Sequence, residues 1–299
     1  MEGSRQKEMK FSICGKDYFE VLLNGEVKNN INMDVPVYQN VQPEVKKPTL
    51  EEIREVIRGL KNHKVPGSDG ITSEMLKAGG IELASQLHKL IEDIWEKEEM
   101  PSDWEEAIIV PLHNKGDKQE PNNYRGISLL NTSYKILSKI IQKRLEVYTE
   151  EIIEDHQAGF QKGRSTIDQV FVLKELIAKH WEFDRALYGL FIDFQKAYDS
   201  INRNKLWEKM EQYGIPTKLT KMAKLSLENS KCKVKVENEY SPEFEVKTGV
   251  RQGDSLSPLL FNLALEEALK EIRNRKLGIS IGTKIGALAF AYDVVLVSN

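Results

Sequence analysis

Two aspartates are the side chains of this sequence best placed to do chemistry. Asp193 closes the apolar run LFID, and Asp293 stands between the apolar runs IGALAF and VVLVS. A carboxylate at the end of an apolar strand is costly unless it is hydrogen-bonded, paired or bound to a metal. Taken singly each has an ordinary explanation, since an Asp in a turn is usually a turn former. Together, at the tips of neighbouring strands, they could share a divalent cation. Phosphoryl and nucleotidyl transfer use such carboxylates to hold two Mg²⁺ ions ~3.5–4 Å apart, stabilising the attacking and the leaving oxygen.

The elements that must hold this pair are legible from periodicity. ALYGLFID (186–193), a short apolar run bounded by turn signals, predicts a buried strand ending at Asp193. IGALAF and VVLVS flank Ala291-Tyr292-Asp293 and predict a strand–turn–strand hairpin. KCKVKVEN (231–238) alternates with period two, with FEVKTGV (244–250) as a hairpin partner. Ser257-Pro258 places an N-cap before a proline at the first helical position and opens LLFNLALEEALKEI.

Upstream, the pattern is mostly helical. Residues 1–48 predict a short helix around Tyr18, Phe19 and Leu23, followed by an extended linker. Thr49 and Glu52 form a capping box, and Ile53, Val56, Ile57 and Leu60 follow at helical spacing. KVPGSDG (64–70) predicts a turn. A second helix carries Leu83, Leu87, Leu90, Ile91 and Ile94 on one face, with Pro101 as its stop. AIIVPL (107–112) predicts a strand and 115–128 a polar loop. A long helix from about Thr132 carries Ile136, Leu137, Ile140, Ile141 and Leu145, and Ser165-Thr-Ile-Asp168 caps another running to about Trp181.

With 43 Lys+Arg against 46 Asp+Glu and a net charge of −3, bulk charge cannot hold a polyanion, so such binding falls to local patches. From Lys115 to Arg144 seven basic residues face two acidic ones, and the stretch continues toward Lys162 and Arg164. That suits a phosphate-tracking surface, with a solvated helix face as its ordinary alternative. Any nucleic-acid binding is expected to be weak and salt-sensitive. Glu92 to Glu106, strongly acidic, reads as a solvated face. No apolar run approaches the ~18–20 residues that span a bilayer, and the N-terminus lacks a secretory pattern. Cys14 and Cys232 are too few for a disulfide framework and fit a reducing compartment. The expectation is an intracellular protein, of nucleus or cytoplasm, with no membrane partner.

Six blocks, in order, resemble the reverse transcriptase of non-LTR (LINE-type) retrotransposons. They are KVPGSDGITSEMLK (64–77), NNYRGISLLNTSYKILSKIIQKRL (122–145), HQAGFQKGRST (156–166), LFIDFQKAYDSI (190–201), GVRQGDSLSPLLFNLALE (249–266) and LAFAYDVVLVS (288–298). Any one block would be weak; six in sequence are specific. The resemblance implies an α+β right-hand polymerase fragment with an N-terminal extension (1–48), helical fingers (49–185) and an incomplete antiparallel palm sheet (186–299), without a thumb. The reverse transcriptase domain as a whole would occupy about 100–299. It would copy an RNA template from a DNA primer, using dNTP and two Mg²⁺ ions.

The resemblance also assigns roles. Asp193 is similar to the first metal-binding aspartate, with the Phe194 backbone carbonyl as a further ligand and Asp293 as a second carboxylate. Tyr198 falls where the family keeps a bulky aromatic that collides with a 2′-hydroxyl; a core aromatic is its ordinary alternative. Lys162 and Arg164 lie where charge-assisted donors meet the triphosphate. Gln252 and Gly253 resemble the segment that closes around nucleotide and template, where a missing side chain lets backbone approach. Asp199 is expected to be structural.

The sequence departs from the family pattern at Phe290-Ala291-Tyr292-Asp293, where an aromatic residue and Ala should precede two aspartates. Tyr292 takes the place of the first of them. A phenol with pKa ~10 is a poor Mg²⁺ ligand beside carboxylate. Polymerase activity is therefore expected to be severely reduced or absent. Gln161 also stands where many relatives carry a basic residue. The sequence ends just after the hairpin, no endonuclease block precedes the fingers, and two cysteines cannot supply a zinc knuckle, so a fragment of a longer element protein is expected. Two other readings stay open: a catalytically dead retroelement-derived nucleic-acid-binding module, and a group II intron maturase-like reverse transcriptase.

Overall fold

Thr49 caps the helix that follows it through two reciprocal hydrogen bonds. Its Oγ1 accepts from the Glu52 N–H at 3.2 Å, and Glu52 Oε2 accepts from the Thr49 N–H at 2.7 Å. The computed structural model describes residues 15–25, 44–274, 278–281 and 283–299. Residues 15–22 form helix α1, with Phe19 and Leu23 buried. Most of the predicted linker, residues 26–43, lies outside the described residues. Then follow α2 (Leu50–Gly59), α3 (Ser73–Ala78), α4 (Gly80–Lys97), α5 (Ser102–Glu105), strands β1 (Glu106–His113) and β2 (Tyr124–Leu129), and α6 (Thr132–Ile152). The second half contains α7 (Thr166–Glu182), β3 (Tyr188–Asp193), α8 (Arg203–Gln212), α9 (Thr217–Leu225), β4 (Lys231–Val236), β5 (Glu239–Tyr240) and β6 (Phe244–Glu245). It closes with α10 (Ser257–Asn274), β7 (Ile279–Ile281), β8 (Thr283–Ile285), β9 (Ala287–Phe290) and β10 (Asp293–Ser298). The fold class is α+β, as expected.

The chain divides into two compact units that interleave in sequence. One comprises residues 1–145 and 198–257, the other 146–197 and 258–299. The first is built on a five-stranded sheet, ordered β2-β1-β4-β5 with β6 also on β4. β1 and β4 run parallel, Glu106 to Ile109 against Lys231 to Val234, whereas the β4–β6 pairing is antiparallel as predicted. In α6 the predicted stripe of Ile136, Leu137, Ile140, Ile141 and Leu145 is fully buried. Each such side chain contributes about 1.5–3 kcal/mol of burial.

Part of the predicted 115–128 loop is a strand. β2 pairs with β1 in antiparallel register, Val110 opposite Ile127. Gly126 in its middle disguises it, because glycine is disfavoured in strand interiors. A Cβ there would stand 2.7 Å from the Phe19 ring, so the missing side chain makes room for α1.

The second unit is organised on an antiparallel sheet ordered β3-β10-β9. Leu176 of α7 packs with Ile279 and Val297 in its core, with Val172, Leu173 and Val295 beside them. The predicted hairpin of β9 and β10 is present, Phe290 opposite Asp293. The expectation of a buried strand at 186–193 is corrected. β3 forms, but as an edge strand whose Tyr188, Leu190 and Phe191 stay exposed, Phe191 by 72%. Helix α7 packs against β9, and its Leu176 reaches Val297 of β10. Apolar composition made the strand, but burial depends on what packs against its faces, and β9 at the other edge of the same sheet is buried where β3 is not.

Candidate active site

Asp193 and Asp293 are direct partners in the β3–β10 ladder. Side chains directly opposite in a sheet leave it on the same face. The Phe194 N–H donates to the Tyr292 carbonyl at 3.4 Å. That bond frames Asp193–Asp293 as a non-hydrogen-bonded pair, the kind whose Cα atoms approach to ~4.5 Å. Both aspartates are exposed, which corrects the expected desolvation cost at Asp193. Their mutual repulsion remains, since like charges directly opposite destabilise a ladder.

The turn that presents Asp293 has two residues, Ala291 and Tyr292. Ala291 has φ +56°, the left-handed region, and is buried. Hairpin turns with positive φ at their first central residue favour glycine there. An alanine costs about 1–2 kcal/mol in that conformation. Tyr292 is half-buried and carries its phenol where the resemblance calls for a carboxylate.

Lys162 and Arg164 belong to the same unit. Gln161 to Arg164 form a tight turn, with the Arg164 N–H donating to the Gln161 carbonyl and Gly163 at φ +75°. Lys162 is exposed, and Arg164 is ion-paired with the exposed Asp155. Ser165 and Asp168 then complete the predicted capping box of α7.

The other named residues lie in the first unit. The Val250 N–H donates to the Tyr198 carbonyl at 2.8 Å, and Gln252 Nε2 to Asp199 Oδ2 at 3.4 Å. The Gln252 carbonyl accepts from the Ser128 N–H at 2.7 Å. Gly253, at φ +122°, comes so close to the end of β2 that a Cβ would stand 2.6 Å from the Ser128 carbonyl. The close approach it serves within this unit is to the protein's own backbone. Asp254, not singled out from sequence, is buried and accepts from the Tyr134 and Ser138 hydroxyls and, at 3.1 Å, from the Leu256 N–H. Burial, reinforced by the Asp254 charge, pushes the Tyr134 phenol well above its ordinary range.

The donor set at the β3–β10 ladder suits a hard divalent cation in kind, being carboxylate oxygen at a solvent-accessible sheet end. In number it is thin. Among the described residues no three His, Cys, Asp or Glu side chains cluster into a metal site. Asp193 and Asp293 therefore fit as a two-carboxylate site, one carboxylate short of the family pattern.

The Lys115–Arg144 stretch is partly neutralised. Arg144 donates to both Glu52 oxygens at 3.2 Å and lies over the Trp95 ring, while Lys143 pairs with Glu55 at 3.5 Å. Burial lowers the pKa of Lys135. Lys115 and Lys118 remain exposed at the start of the stretch.

Comparison with known proteins gives this geometry a family. Residues 113–299 match the model for "Reverse transcriptase (RNA-dependent DNA polymerase)". The "Transposon TX1 uncharacterized 149 kDa protein" of Xenopus laevis is 30% identical over 84% of this chain and 19% of its own length. The "Probable RNA-directed DNA polymerase from transposon BS" of Drosophila melanogaster is 33% identical over 73% of this chain and 24% of its own. The "Retrovirus-related Pol polyprotein from type-1 retrotransposable element R2" of Popillia japonica is 28% identical over 83% of this chain and 34% of its own. The chain thus spans between 19% and 34% of the length of these curated relatives. No helix among the described residues is long and apolar enough to cross a membrane. The chain belongs to the reverse transcriptase (RNA-dependent DNA polymerase) family, as a domain of the non-LTR retrotransposon type.

Proposed function

We propose that this chain is the catalytic part of an RNA-directed DNA polymerase that joins deoxynucleotides to a DNA primer along an RNA template, with Tyr292 leaving that reaction strongly impaired. The observation that carries the reading is the direct opposition of Asp193 and Asp293 in the β3–β10 register. These carboxylates, with the Phe194 carbonyl beside them, would hold Mg²⁺. The metal would supply charge stabilisation to the attacking and leaving oxygens of the displacement.

The chain's own residues do the rest. Lys162 and Arg164 would neutralise the triphosphate of the incoming dNTP. Arg164 would exchange Asp155 for phosphate oxygen, a small loss because exposed ion pairs contribute only ~0–1 kcal/mol. The Tyr198 ring would select against a 2′-hydroxyl, and Gln252 and Gly253 would flank nucleotide and template. Fingers over 49–185 and palm over 186–299 belong to the same reading, as does a site of action inside the cell.

Primer extension on an RNA template with Mg²⁺ tests it, comparing the unmodified chain with Tyr292→Asp and with Tyr292→Asp/Asp193→Asn. Extension should be near background in the first, rise roughly a hundredfold or more in the second, equivalent to about 2.7 kcal/mol in barrier, and vanish in the third. Equal extension by the first two would overturn the impairment. The Tyr292 phenol also favours a second reading, a binding module without catalysis. Failure of every variant to extend, with salt-sensitive RNA binding retained, would select it.

A further inference from the structure

Gln157 was not singled out by its residue type, yet its side chain is the one that grips the turn bearing Tyr292 and Asp293. It is 2% exposed. Its Oε1 accepts from the Ala291 N–H at 2.9 Å and from the Gly159 N–H at 2.7 Å, and its Nε2 donates to the Ala291 carbonyl at 3.2 Å. One primary amide thereby satisfies both polar groups of the single residue in the turn that holds a left-handed conformation.

The backbone around Gln157 is fastened to the same hairpin. The Ala158 N–H donates to the Ala289 carbonyl at 2.8 Å, and the Ala289 N–H to the His156 carbonyl at 2.7 Å. These bonds close the outer edge of β9. Gly159 then passes so close that a Cβ would stand 2.1 Å from the Ala291 nitrogen. Asn262 of α10, itself buried, holds the Gly159 carbonyl at 2.8 Å. The edge at β9 is thus strapped down, whereas no strand among the described residues pairs with the other edge of β3.

We infer that Gln157 is a positioning residue: its amide selects the left-handed Ala291 turn and thereby sets Asp293 opposite Asp193. The argument is energetic. Ala291 loses about 1–2 kcal/mol to its backbone conformation, and buried hydrogen bonds contribute about 0.5–1.5 kcal/mol each while costing more when one partner is removed. Without the amide, the Ala291 N–H and carbonyl lose their partner in a buried turn. The hairpin then relaxes toward turns with negative φ, which do not match the twist of the flanking strands. The catalytic consequence rests on the reading of Asp193 and Asp293 given above; the geometric claim does not.

The test therefore reads the juxtaposition without metal or activity. In the full chain with Cys14→Ser, the substitutions Asp193→Cys and Asp293→Cys place two thiols at a directly opposed pair, within the Cα range a disulfide accepts. The effective concentration of that disulfide against glutathione measures how well the register is held. Gln157→Met, close in volume but without the amide, should lower it at least tenfold. Gln157→Glu keeps the acceptor and loses the donor, and should fall between. Leu176→Ala in the unit's core should lower the thermal midpoint at least as much as Gln157→Met while leaving the effective concentration within twofold. An unchanged value in Gln157→Met, or an equal fall in Leu176→Ala, overturns the inference. Mn²⁺ titration of the chain with both aspartates intact then judges the other reading separately. Tenfold weaker binding in Gln157→Met supports both, and absence of Mn²⁺ binding despite a Gln157-dependent disulfide removes the metal site while leaving the positioning role intact.

Discussion

Asp193 and Asp293 face each other across one antiparallel ladder, so the sheet sets two negative charges side by side at its end. Without a cation the pair opposes folding of its own unit; on the reading proposed above, a bound cation would offset that repulsion. Asp293→Asn should therefore raise stability by about 0.2–1 kcal/mol in chelator. The gain should shrink or reverse as Mg²⁺ is added, because the native unmodified chain then gains binding free energy that the variant loses. Urea titrations with EDTA and with MgCl₂ check this, and a gain identical in both would remove the metal from the account.

Two glycines of the 156–165 segment should respond to alanine for different reasons. At Gly159 the new Cβ meets the Ala291 backbone at 2.1 Å, which no rotamer change relieves. Overpacking of that kind costs about 1–3 kcal/mol or more. At Gly163 a Cβ would meet nothing within 4 Å among the described residues beyond its chain neighbours, and φ of +75° is the whole penalty, about 1–2 kcal/mol. Denaturation midpoints rank them. Only Gly159→Ala should also disturb the amide shifts of the 290–293 hairpin.

Asp254 accepts hydrogen bonds from Tyr134, Ser138 and Leu256 inside the first unit. Asp254→Ala strands those donors and should cost about 2–3 kcal/mol. Because Gln252 and Gly253 immediately precede it, hydrogen exchange at the Ser128 N–H, which donates to the Gln252 carbonyl, should quicken as well. Protection at Ser128 that survives the substitution would separate Asp254 from that segment.

Glu52 links the start of α2 to α6. Burial acts to raise its pKa, but the Thr49 N–H and the Arg144 guanidinium outweigh it and hold the carboxyl below its ordinary value of 4.5. A carboxyl depressed in the folded state stabilises above its unfolded pKa and loses that contribution as pH falls through the folded one. Acid titration of stability should show this loss below about pH 4.5. In Glu52→Gln the slope should flatten. Thr49→Ala should cost about 1 kcal/mol at neutral pH, the usual worth of an N-cap.

Local chemistry was legible where partners lie within a few residues. The capping boxes at Thr49 and Ser165, the α6 stripe and the β9–β10 hairpin all follow from such short-range pairings. Even the candidate carboxylates could be named, because apolar runs with an acid at their ends stand out in any register. β2 was hidden by Gly126, whose absent side chain makes sense only beside Phe19 of α1. Asp254 was hidden because nothing in RQGDS announces that Tyr134 and Ser138 wait for it on the distant helix α6.

What the sequence by itself determined is the family, through six ordered blocks, and the substitution at Tyr292 that removes an expected carboxylate. Which residues oppose one another was decided by the tertiary structure alone. Strand register set Asp193 against Asp293, and the packing around β3 left its apolar side chains exposed rather than buried. The Gln157 amide reached Ala291 because the 156–158 segment runs along β9. The physical reason is the range of the interactions: propensity and capping act over one helical turn, whereas burial and side-chain grip depend on which distant element arrives alongside.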